Sequence, residues 1–364
     1  MKKTLVLSLK DQKNIQTHTI LFKNEAEARL HLRRISKTSV CIFDKRFQKS
    51  ALVRQFSARF GVDSGEKLKS LESFSKLVPA IHQKVDTISK KELHFVAVGG
   101  GSVGDFVSFI ASIYKRGCPV IQIPTTWLSV VDSAHGGKNA LNLKSKNQLG
   151  TIHYPSQVLV IPQYLRGQSQ ELMVSALGEV LKYGWLHRKL FPKMRDLNFS
   201  DFEDFYSLVP QCIQIKNKFV QQDPFEINGK RFFLNLGHTL AHGLEAELRL
   251  PHGLAVLLGL EFMLRWSVQK KLISANEVRK QIPQSLREVV KSHLQSKRLS
   301  YPRLIRHQKF MAHLGSDKKV SKKGMIREIF ILKQKCKMID VPITAYEAER
   351  QRQIQVGEHE SFLF

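Results

Sequence analysis

The chain has 364 residues, of which 42% are hydrophobic and 24% charged, and its formal net charge is +27. A chain of this length suits two packed domains, and we expect no membrane span because no run of about 18 uncharged apolar residues occurs. The four cysteines are widely scattered, which argues against a zinc ribbon or a disulfide framework and favours a cytoplasmic location.

The surplus positive charge favours anionic partners, either nucleic acid or a phosphorylated metabolite. It is strongest between Arg265 and Lys337, where roughly twenty residues are basic and few are acidic. That segment has little aromatic interleaving and no recognisable nucleic-acid motif. We therefore predict a solvated basic surface and no nucleic-acid partner.

The first part of the chain alternates strand-like and helix-like segments. The N-terminal apolar run ends at Lys10 and Asp11 without a small-residue cleavage site, so it predicts a strand rather than a signal peptide. Continuous apolar runs predict further strands, and helical spacing lies between them; the strands are predicted at residues 39–43, 94–98, 119–123 and 157–161 and a helix at 105–114. This order predicts a parallel sheet with helices on both faces.

From about Gln168 the pattern becomes helical, and strand signals nearly vanish. Amphipathic segments predict helices at residues 171–186, 202–221 and 235–249. Without a low-complexity linker, the two domains are expected to abut and form a cleft. The boundary divides the chain into an α/β domain at residues 1–167 and a helical domain at residues 168–364.

Residues at three predicted strand ends suggest a nucleotide site. The segment Gly99–Asp105 follows a strand and opens a helix, where glycines and free N–H groups suit a phosphate. It is neither a G-x-G-x-x-G fingerprint nor a P-loop, and a tight strand-to-helix turn explains it equally well. Asp44 ends another strand, where it suits either a ribose contact or an N-cap, and Thr125 and Thr126 end a third. Together they predict a Rossmann-like dinucleotide-binding domain; the basic pair after Asp44 leaves NAD and NADP both open.

Three histidines and an acid suggest a metal site in the second half. His238 and His242 lie at i and i+4 on one helix face, and His252 follows in a Pro-His-Gly segment. Spacing alone nominates His238 and His242 as the ligand pair, with Glu179 as a candidate third ligand. Hydrogen-bonded structural histidines are the alternative, but three within about fifteen residues favour a metal.

Cations suited to a phosphate and a carboxylate are spread over both halves. They lie in the segment Asp132–Lys138, in the pair Lys146 and Asn147, and at Lys182, Lys216 and Arg231. Isolated lysines are usually solvated, so each of these alone indicates little.

As an ordered series, these motifs resemble the 3-dehydroquinate synthase family of the shikimate pathway, within the sugar-phosphate cyclases. The resemblance extends from about Asp44 to Lys319 and is carried by residues 99–105, 114–117, 124–126, 132–138, 146–147, 179–182, 235–242 and 252–253. It implies an NAD-binding α/β domain, an all-α metal- and substrate-binding domain and a homodimer.

The resemblance also implies Zn²⁺ (or Co²⁺) bound by Glu179, His238 and His252. His242 is then not a ligand but lies near the substrate phosphate and assists proton movement. The implied reaction releases phosphate from a seven-carbon 2-keto-3-deoxy sugar acid phosphate, with NAD⁺ oxidising and then re-reducing C5 and the metal polarising its oxygen.

Further roles follow from the same resemblance. The expected catalytic set is Asp132, Lys138, Lys182, Lys216, Arg231, Asn235 and His242. Contacts with the substrate phosphate or carboxylate are expected from Lys146, Asn147, Lys318, Lys319 and, across the dimer, Arg116. The expected cofactor set is Asp44, Glu66, Lys69, Gly99, Gly100, Gly101, Ser102, Val103, Asp105, Thr125, Thr126, Asp132, Ser133, Lys138 and Lys146.

Four features depart from the family pattern. Leu254 stands where an acid usually follows His-Gly, and Ala241 replaces the glycine before His242. His135 fills a position that is usually small or apolar, and the segment 223–231 is one residue longer, which leaves the place of Glu226 open. No expected metal ligand is missing, so we predict an active enzyme.

Three other functions remain open at this point. One is a cyclase of the inosose or valiolone type, and another is a metal-dependent polyol or glycerol dehydrogenase, which shares the Gly-Gly-Gly-Ser loop. The third is a basic module without enzymatic activity that binds nucleic acid.

Overall fold

The computed structural model describes residues 16–143, 146–306, 324–359 and 361–364, together with the backbone of residues 3–8 and 320–322. The chain divides into two compact units: Met1–Gln168 with Lys216–Phe225, and Ser169–Ile215 with Glu226–Phe364. Among the described helices, none has the length and apolar character needed to cross a membrane.

The first unit is built on a seven-stranded sheet, whose strands are β1 Lys3–Ser8, β2 Gln16–Leu21, β3 Ser39–Asp44, β4 Ala58–Val62, β5 His94–Gly99, β6 Val120–Pro124 and β9 Gln157–Val160. Their order in the sheet is β1-β2-β9-β6-β5-β3-β4. Strand β1 is antiparallel to β2, and the other neighbouring pairs are parallel. This confirms the predicted Rossmann-like parallel sheet. A separate hairpin is formed by β7 Lys138–Leu141 and β8 Leu149–Ile152.

Helices cover both faces of this sheet, which explains the continuous apolar runs. Every residue of β3 is buried. Val40 and Ile42 belong to one hydrophobic cluster, while Cys41 and Phe43 belong to the cluster on the opposite face. The helices of this unit are α1 Glu25–Leu32, α2 Ala51–Arg54, α3 Leu71–Val85 and α4 Gly101–Ile113.

The second unit is mainly helical, as predicted. Its helices are α5 Gln170–Leu186, α6 Phe191–Met194, α7 Phe202–Ser207, α8 Val209–Gln222, α9 His238–Leu248, α10 His252–Gln269, α11 Ala275–Gln281, α12 Gln284–Ser296, α13 Tyr301–Ile305 and α14 Ile343–Val356, with residues 216–222 of α8 belonging to the first unit. The predicted helix at 202–221 is divided at Leu208. Pro210 explains the break, because it has no N–H to donate to the preceding turn.

A three-stranded antiparallel sheet in this unit was not predicted. It consists of β10 Val320–Lys322, β11 Met325–Ile331 and β12 Cys336–Pro342. Glu328 lies at a buried position of β11, with 2% of its surface exposed. A charged residue on the inward face interrupts the apolar alternation by which a strand is recognised.

Close backbone contact between α5 and α10 positions the most buried acid of the site. A Cβ on Gly178 would overlap the carbonyl of Gly253, and a Cβ on Gly253 would overlap the carbonyl of Ser175. Only glycine permits this approach. It brings Glu179, one residue after Gly178, next to the first turn of α10.

Candidate metal and dinucleotide sites

Glu179, His238 and His252 lie together in the second unit. One ligand atom from each residue lies within 4.8 Å of the others, and among the described residues no further group of this kind occurs. His238 Nε2 is 3.5 Å and His252 Nε2 is 3.3 Å from Glu179 Oε1. The structure therefore brings together the three residues that the resemblance nominates.

Both imidazole rings are held by their Nδ1 atoms, so that Nε2 faces the carboxylate. His238 Nδ1 lies 3.1 Å from the Leu236 carbonyl oxygen and, since a carbonyl only accepts, must carry the hydrogen. His252 Nδ1 lies 3.1 Å from Glu245 Oε2. Imidazoles that donate through one nitrogen and present the other as a lone pair are the usual form of histidine metal ligands.

The charges around Glu179 keep it ionised although it is fully buried. Burial opposes its ionisation, but the Lys182 ammonium and the two histidines hold the pKa of Glu179 well below its usual range. Burial, aided by Lys182, lowers the pKa of His238 to about 3, so this imidazole is neutral at physiological pH. For His252, burial is outweighed by hydrogen bonds with Glu179 and Glu245, which raise its pKa to about 10. Without a metal this ring therefore carries a second proton on Nε2, and a metal would bind by replacing that proton.

This donor set fits a zinc-type ion. Two imidazole nitrogens and one carboxylate leave a fourth tetrahedral position open, as in catalytic zinc sites. Both Glu179 oxygens are buried, and the charged or polar groups that face them among the described residues are Lys182, His238 and His252. Such a carboxylate is costly to bury unless it is paired or coordinates a metal, and the ion pair with Lys182 meets only part of that need.

His242 lies on the same helix but does not join this group. It is exposed, and it is not among the residues whose ligand atoms all lie within 4.8 Å of one another. The prediction from spacing alone, which paired His238 with His242, is thus not the arrangement of the structure. His252, the first residue of α10, takes the place because α10 packs against α9 and brings the His252 ring 5.3 Å from that of His238.

In the first unit, a buried lysine links three segments of the predicted nucleotide site. Lys69 Nζ lies 2.7 Å from Asp105 Oδ2 and 2.6 Å from Asn147 Oδ1, and 3% of Lys69 is exposed. Burial raises the pKa of Asp105, and Lys69 opposes that shift. Glu66 accepts a hydrogen bond of 2.9 Å from the Asn142 side chain. These contacts join the segment 66–69, helix α4 and the β7–β8 turn.

The strand ends offer donors and an unsatisfied hydroxyl to a dinucleotide. Helix α4 begins after Gly100 without a side-chain cap, so its first N–H groups can receive a phosphate. Directly after the neighbouring strand β6, the buried Thr125 hydroxyl has no hydrogen-bond partner among the described residues. Gly99 needs no ligand to explain it, because a Cβ there would meet Val103 at 2.6 Å. The described residues thus fit a nucleotide at the carboxyl ends of β5 and β6.

The Asp44 carboxylate is already engaged. It accepts bonds from Arg46 Nε at 3.0 and 3.1 Å and from Arg46 Nη2 at 2.7 Å, and it also caps the following turn through Arg46 N at 3.0 Å. The Asp44 side chain is 4% exposed and that of Arg46 is 61% exposed. Asp44 therefore acts as the N-cap of the turn that follows β3, which was one of its two predicted roles. A ribose contact by Asp44 stays a prediction.

Asp132 and Lys216 meet in the first unit. Lys216 Nζ lies 2.6 Å from the Asp132 carbonyl oxygen and 2.9 Å from its Oδ1. Asp132 belongs to a π-helical turn, Ser129–Ser133, and His135 Nε2 donates to the Val130 carbonyl of that turn at 3.0 Å. The unusual His135 is thus a buried cap of the turn that carries Asp132.

The remaining predicted residues occupy varied positions. Lys138, Lys146, Asn147 and Arg116 are exposed, Arg231 is buried and Asn235 is half-buried. Arg116 has a left-handed backbone, with φ 63°, as does Lys115 with φ 47°; conformations of this kind are uncommon outside glycine and recur at functional sites. Lys318 and Lys319 lie outside the described residues.

Two residues with clear contacts at these sites were missed in the sequence analysis. Glu245, which contacts His252, lies seven residues after His238, and the same-face spacing of two helical turns was a usable signal. Asn142, whose Oδ1 accepts from Asn147 N at 2.9 Å, gave no signal, because only the β7–β8 turn brings it to this place.

Comparisons with known proteins identify similar sequences and folds. Family models described as 3-dehydroquinate synthase N-terminal and C-terminal match residues 59–175 and 176–320. A 3-dehydroquinate synthase of Streptococcus pyogenes is 38% identical over 222 residues, which are 59% of this chain and 60% of that protein. The chain thus spans about 60% of the length of the streptococcal relatives.

A 3-dehydroquinate synthase of Pseudoalteromonas translucida is 32% identical over 77% of this chain and 78% of its own length. Among solved structures, a 2-epi-5-epi-valiolone synthase of Streptomyces hygroscopicus, with NAD⁺ and Zn²⁺ bound, has a TM-score of 0.77 at 20% identity, covering 95% of this chain and 99% of its own. That likeness shows the fold. The two family models and the extent of the Pseudoalteromonas match show that the chain belongs to the 3-dehydroquinate synthase family.

Proposed function

We propose that this chain is a 3-dehydroquinate synthase, which converts 3-deoxy-D-arabino-heptulosonate 7-phosphate to 3-dehydroquinate and phosphate with catalytic NAD and a divalent metal. The observation that carries the proposal is the group of the buried Glu179 and His238 with the partly buried His252, in which one ligand atom of each lies within 4.8 Å of the others. Family membership supports the substrate, and the valiolone synthase with NAD⁺ and Zn²⁺ supports the cofactors.

In the second unit, Glu179, His238 and His252 would hold Zn²⁺ or Co²⁺. When bound, NAD supplies reversible hydride transfer and the metal supplies Lewis acidity toward a carbinol oxygen. The Lys182 ammonium pairs with Glu179 and compensates its negative charge within the buried site. Because Lys182 is only 2% exposed, this compensation is little screened by solvent.

In the first unit, the uncapped start of α4 and the Thr125 hydroxyl would receive the dinucleotide. Lys69 orders the surrounding loops through Asp105 and Asn147. Lys216 contacts both the backbone carbonyl and the carboxylate of Asp132 and thereby fixes the orientation of the Asp132 side chain. The substrate roles of Lys138, Arg231, Asn235 and His242 stay predictions.

Three accompanying properties are also proposals. We expect a homodimer in which Arg116 serves the partner's substrate, and a small phosphorylated keto sugar acid rather than nucleic acid as the partner. We expect the cytoplasm as the location, and the free state of all four cysteines agrees with a reducing compartment.

The test is a turnover assay of the purified protein with zinc, NAD⁺ and the seven-carbon substrate. We expect release of one phosphate per substrate without accumulation of NADH, because the hydride is returned in each turnover. NADH accumulation with a simple polyol, and no phosphate release, would instead identify a dehydrogenase.

Product identity separates the cyclases. NMR of the product should show 3-dehydroquinate from the seven-carbon keto acid. An inosose or a valiolone formed from another sugar phosphate would show that the chain uses the shared fold for another ring closure.

A further inference from the structure

The partner of His252 is not where the family pattern expects it. The resemblance expects an acid directly after Gly253, but Leu254 stands there and is 2% exposed among apolar side chains. A histidine ligand normally donates its second N–H to a carboxylate, a carbonyl or a water, which fixes the ring. The structure provides such a partner for His252 from another helix.

That partner is Glu245. Its Oε2 lies 3.1 Å from His252 Nδ1, while His252 Nε2 lies 3.3 Å from Glu179 Oε1. The Glu245 side chain is 13% exposed, whereas that of His252 is 31% exposed. The two nitrogens of one imidazole are therefore directed to two different carboxylates, one at the metal group and one behind the ring.

The local sequence explains why Glu245 reaches this place. His238 and Glu245 lie on α9, separated by seven residues, so they project from the same face about two turns apart. Arg249 ends the helix in a left-handed conformation, with φ 53°, and Pro251 caps the next helix. His252, the first residue of α10, thereby returns to the face of α9 that carries both His238 and Glu245.

We propose that Glu245 is a positioning residue for the metal site, and this rests on the proposed function. Its carboxylate accepts the Nδ1–H of His252 and holds the ring in the tautomer whose Nε2 lone pair is directed to the metal. The His238 ring is held in the same way, because its Nδ1–H donates to the Leu236 carbonyl oxygen at 3.1 Å. Glu245 thus provides the support that Leu254 lacks.

The test is titration of the metal-free full chain with Zn²⁺ alone, read by calorimetry against a competing chelator. Loss of such a partner typically weakens metal binding about 10–100-fold, which we expect for Glu245→Ala. Glu245→Gln should show a smaller loss, because its amide oxygen still accepts the N–H without the charge. Glu288→Ala, which removes an exposed acid of α12, should bind Zn²⁺ like the wild type.

The possible results separate the inference from the proposed function. Wild-type affinity in both Glu245 variants would overturn the inference and leave the proposed function intact. No Zn²⁺ binding by the wild type would contradict the proposed function itself. The urea midpoint of the metal-free proteins gives the second readout: a positioning role predicts a large change in Zn²⁺ affinity with little change in that midpoint. If Glu245→Ala does not fold, Glu245→Gln decides, and unchanged affinity there overturns the inference.

Discussion

Glu179 is the residue whose surroundings are hardest to explain without a ligand. It is fully buried, yet Lys182 and two histidines favour its ionised form. An ionised carboxylate in a protein interior lowers stability unless it is compensated, so its presence indicates function. Spacing alone could not choose between His242 and His252, because the choice depends on how α10 returns to α9, which is a matter of tertiary packing.

His135 provides a prediction about pH at the residue scale. Burial, together with Lys216, lowers its pKa from 6.5 to about 3, so the folded protein holds it neutral while the unfolded chain takes up a proton below pH 6.5. The unfolded state then binds more protons, and stability falls as the pH falls. From pH 7.5 to 5.5 we expect His135 to remove about 1 kcal/mol from the free energy of unfolding.

Urea unfolding of the wild type and His135→Gln at both pH values measures this effect. Glutamine can still donate to the Val130 carbonyl but does not titrate, so the variant should lose less stability on acidification by about 1 kcal/mol. Equal losses in the two proteins would show that His135 is not held neutral by the fold.

At the scale of elements, the central strands were predictable because they are buried on both faces. Strands β3, β5 and β9 contain unbroken apolar runs in the sequence, and the run of β6 is interrupted only by the buried Gln122. Strand β4 was missed because Arg59 and Gly61 interrupt its run, and β11 because Glu328 occupies an inward position. Helix α5 was predicted within one residue, since its caps and periodicity agree.

The contact between α5 and α10 gives a prediction at this scale. Gly253→Ala places a Cβ on the carbonyl of Ser175, a backbone group that cannot rotate away. We expect the free energy of unfolding to fall by about 3 kcal/mol, the upper end of the usual cost of overpacking. Zn²⁺ affinity should fall as well, because the shift moves His252 away from Glu179.

A matched substitution tests whether close packing is the cause. A Cβ on Gly150 would meet only the Asn139 carbonyl oxygen, at an ordinary 3.7 Å. Gly150→Ala should therefore change the free energy of unfolding by less than about 0.5 kcal/mol. If chemical denaturation shows the same loss of stability for both variants, then the close backbone contact is not the reason that position 253 requires glycine.

For the whole molecule, the sequence predicted a nucleotide-binding unit and a metal-binding unit from physical patterns, but the substrate came only from the family resemblance. The glycines, lysines and histidines indicate that the chain can bind a phosphate group and a metal ion. Many small phosphorylated molecules would satisfy these residues, so they do not identify the substrate. The net charge of +27 agrees with an anionic substrate, yet one phosphorylated sugar acid does not require so large a surplus.

The most direct measurement is the zinc content of the purified protein and of Glu179→Ala and His252→Ala, with phosphate release from the seven-carbon substrate followed in the same samples. The account predicts about one zinc ion per wild-type chain, little zinc in either variant, and phosphate release that a chelator abolishes and added Zn²⁺ restores. Unchanged zinc content in both variants, or phosphate release unaffected by the chelator, would contradict it.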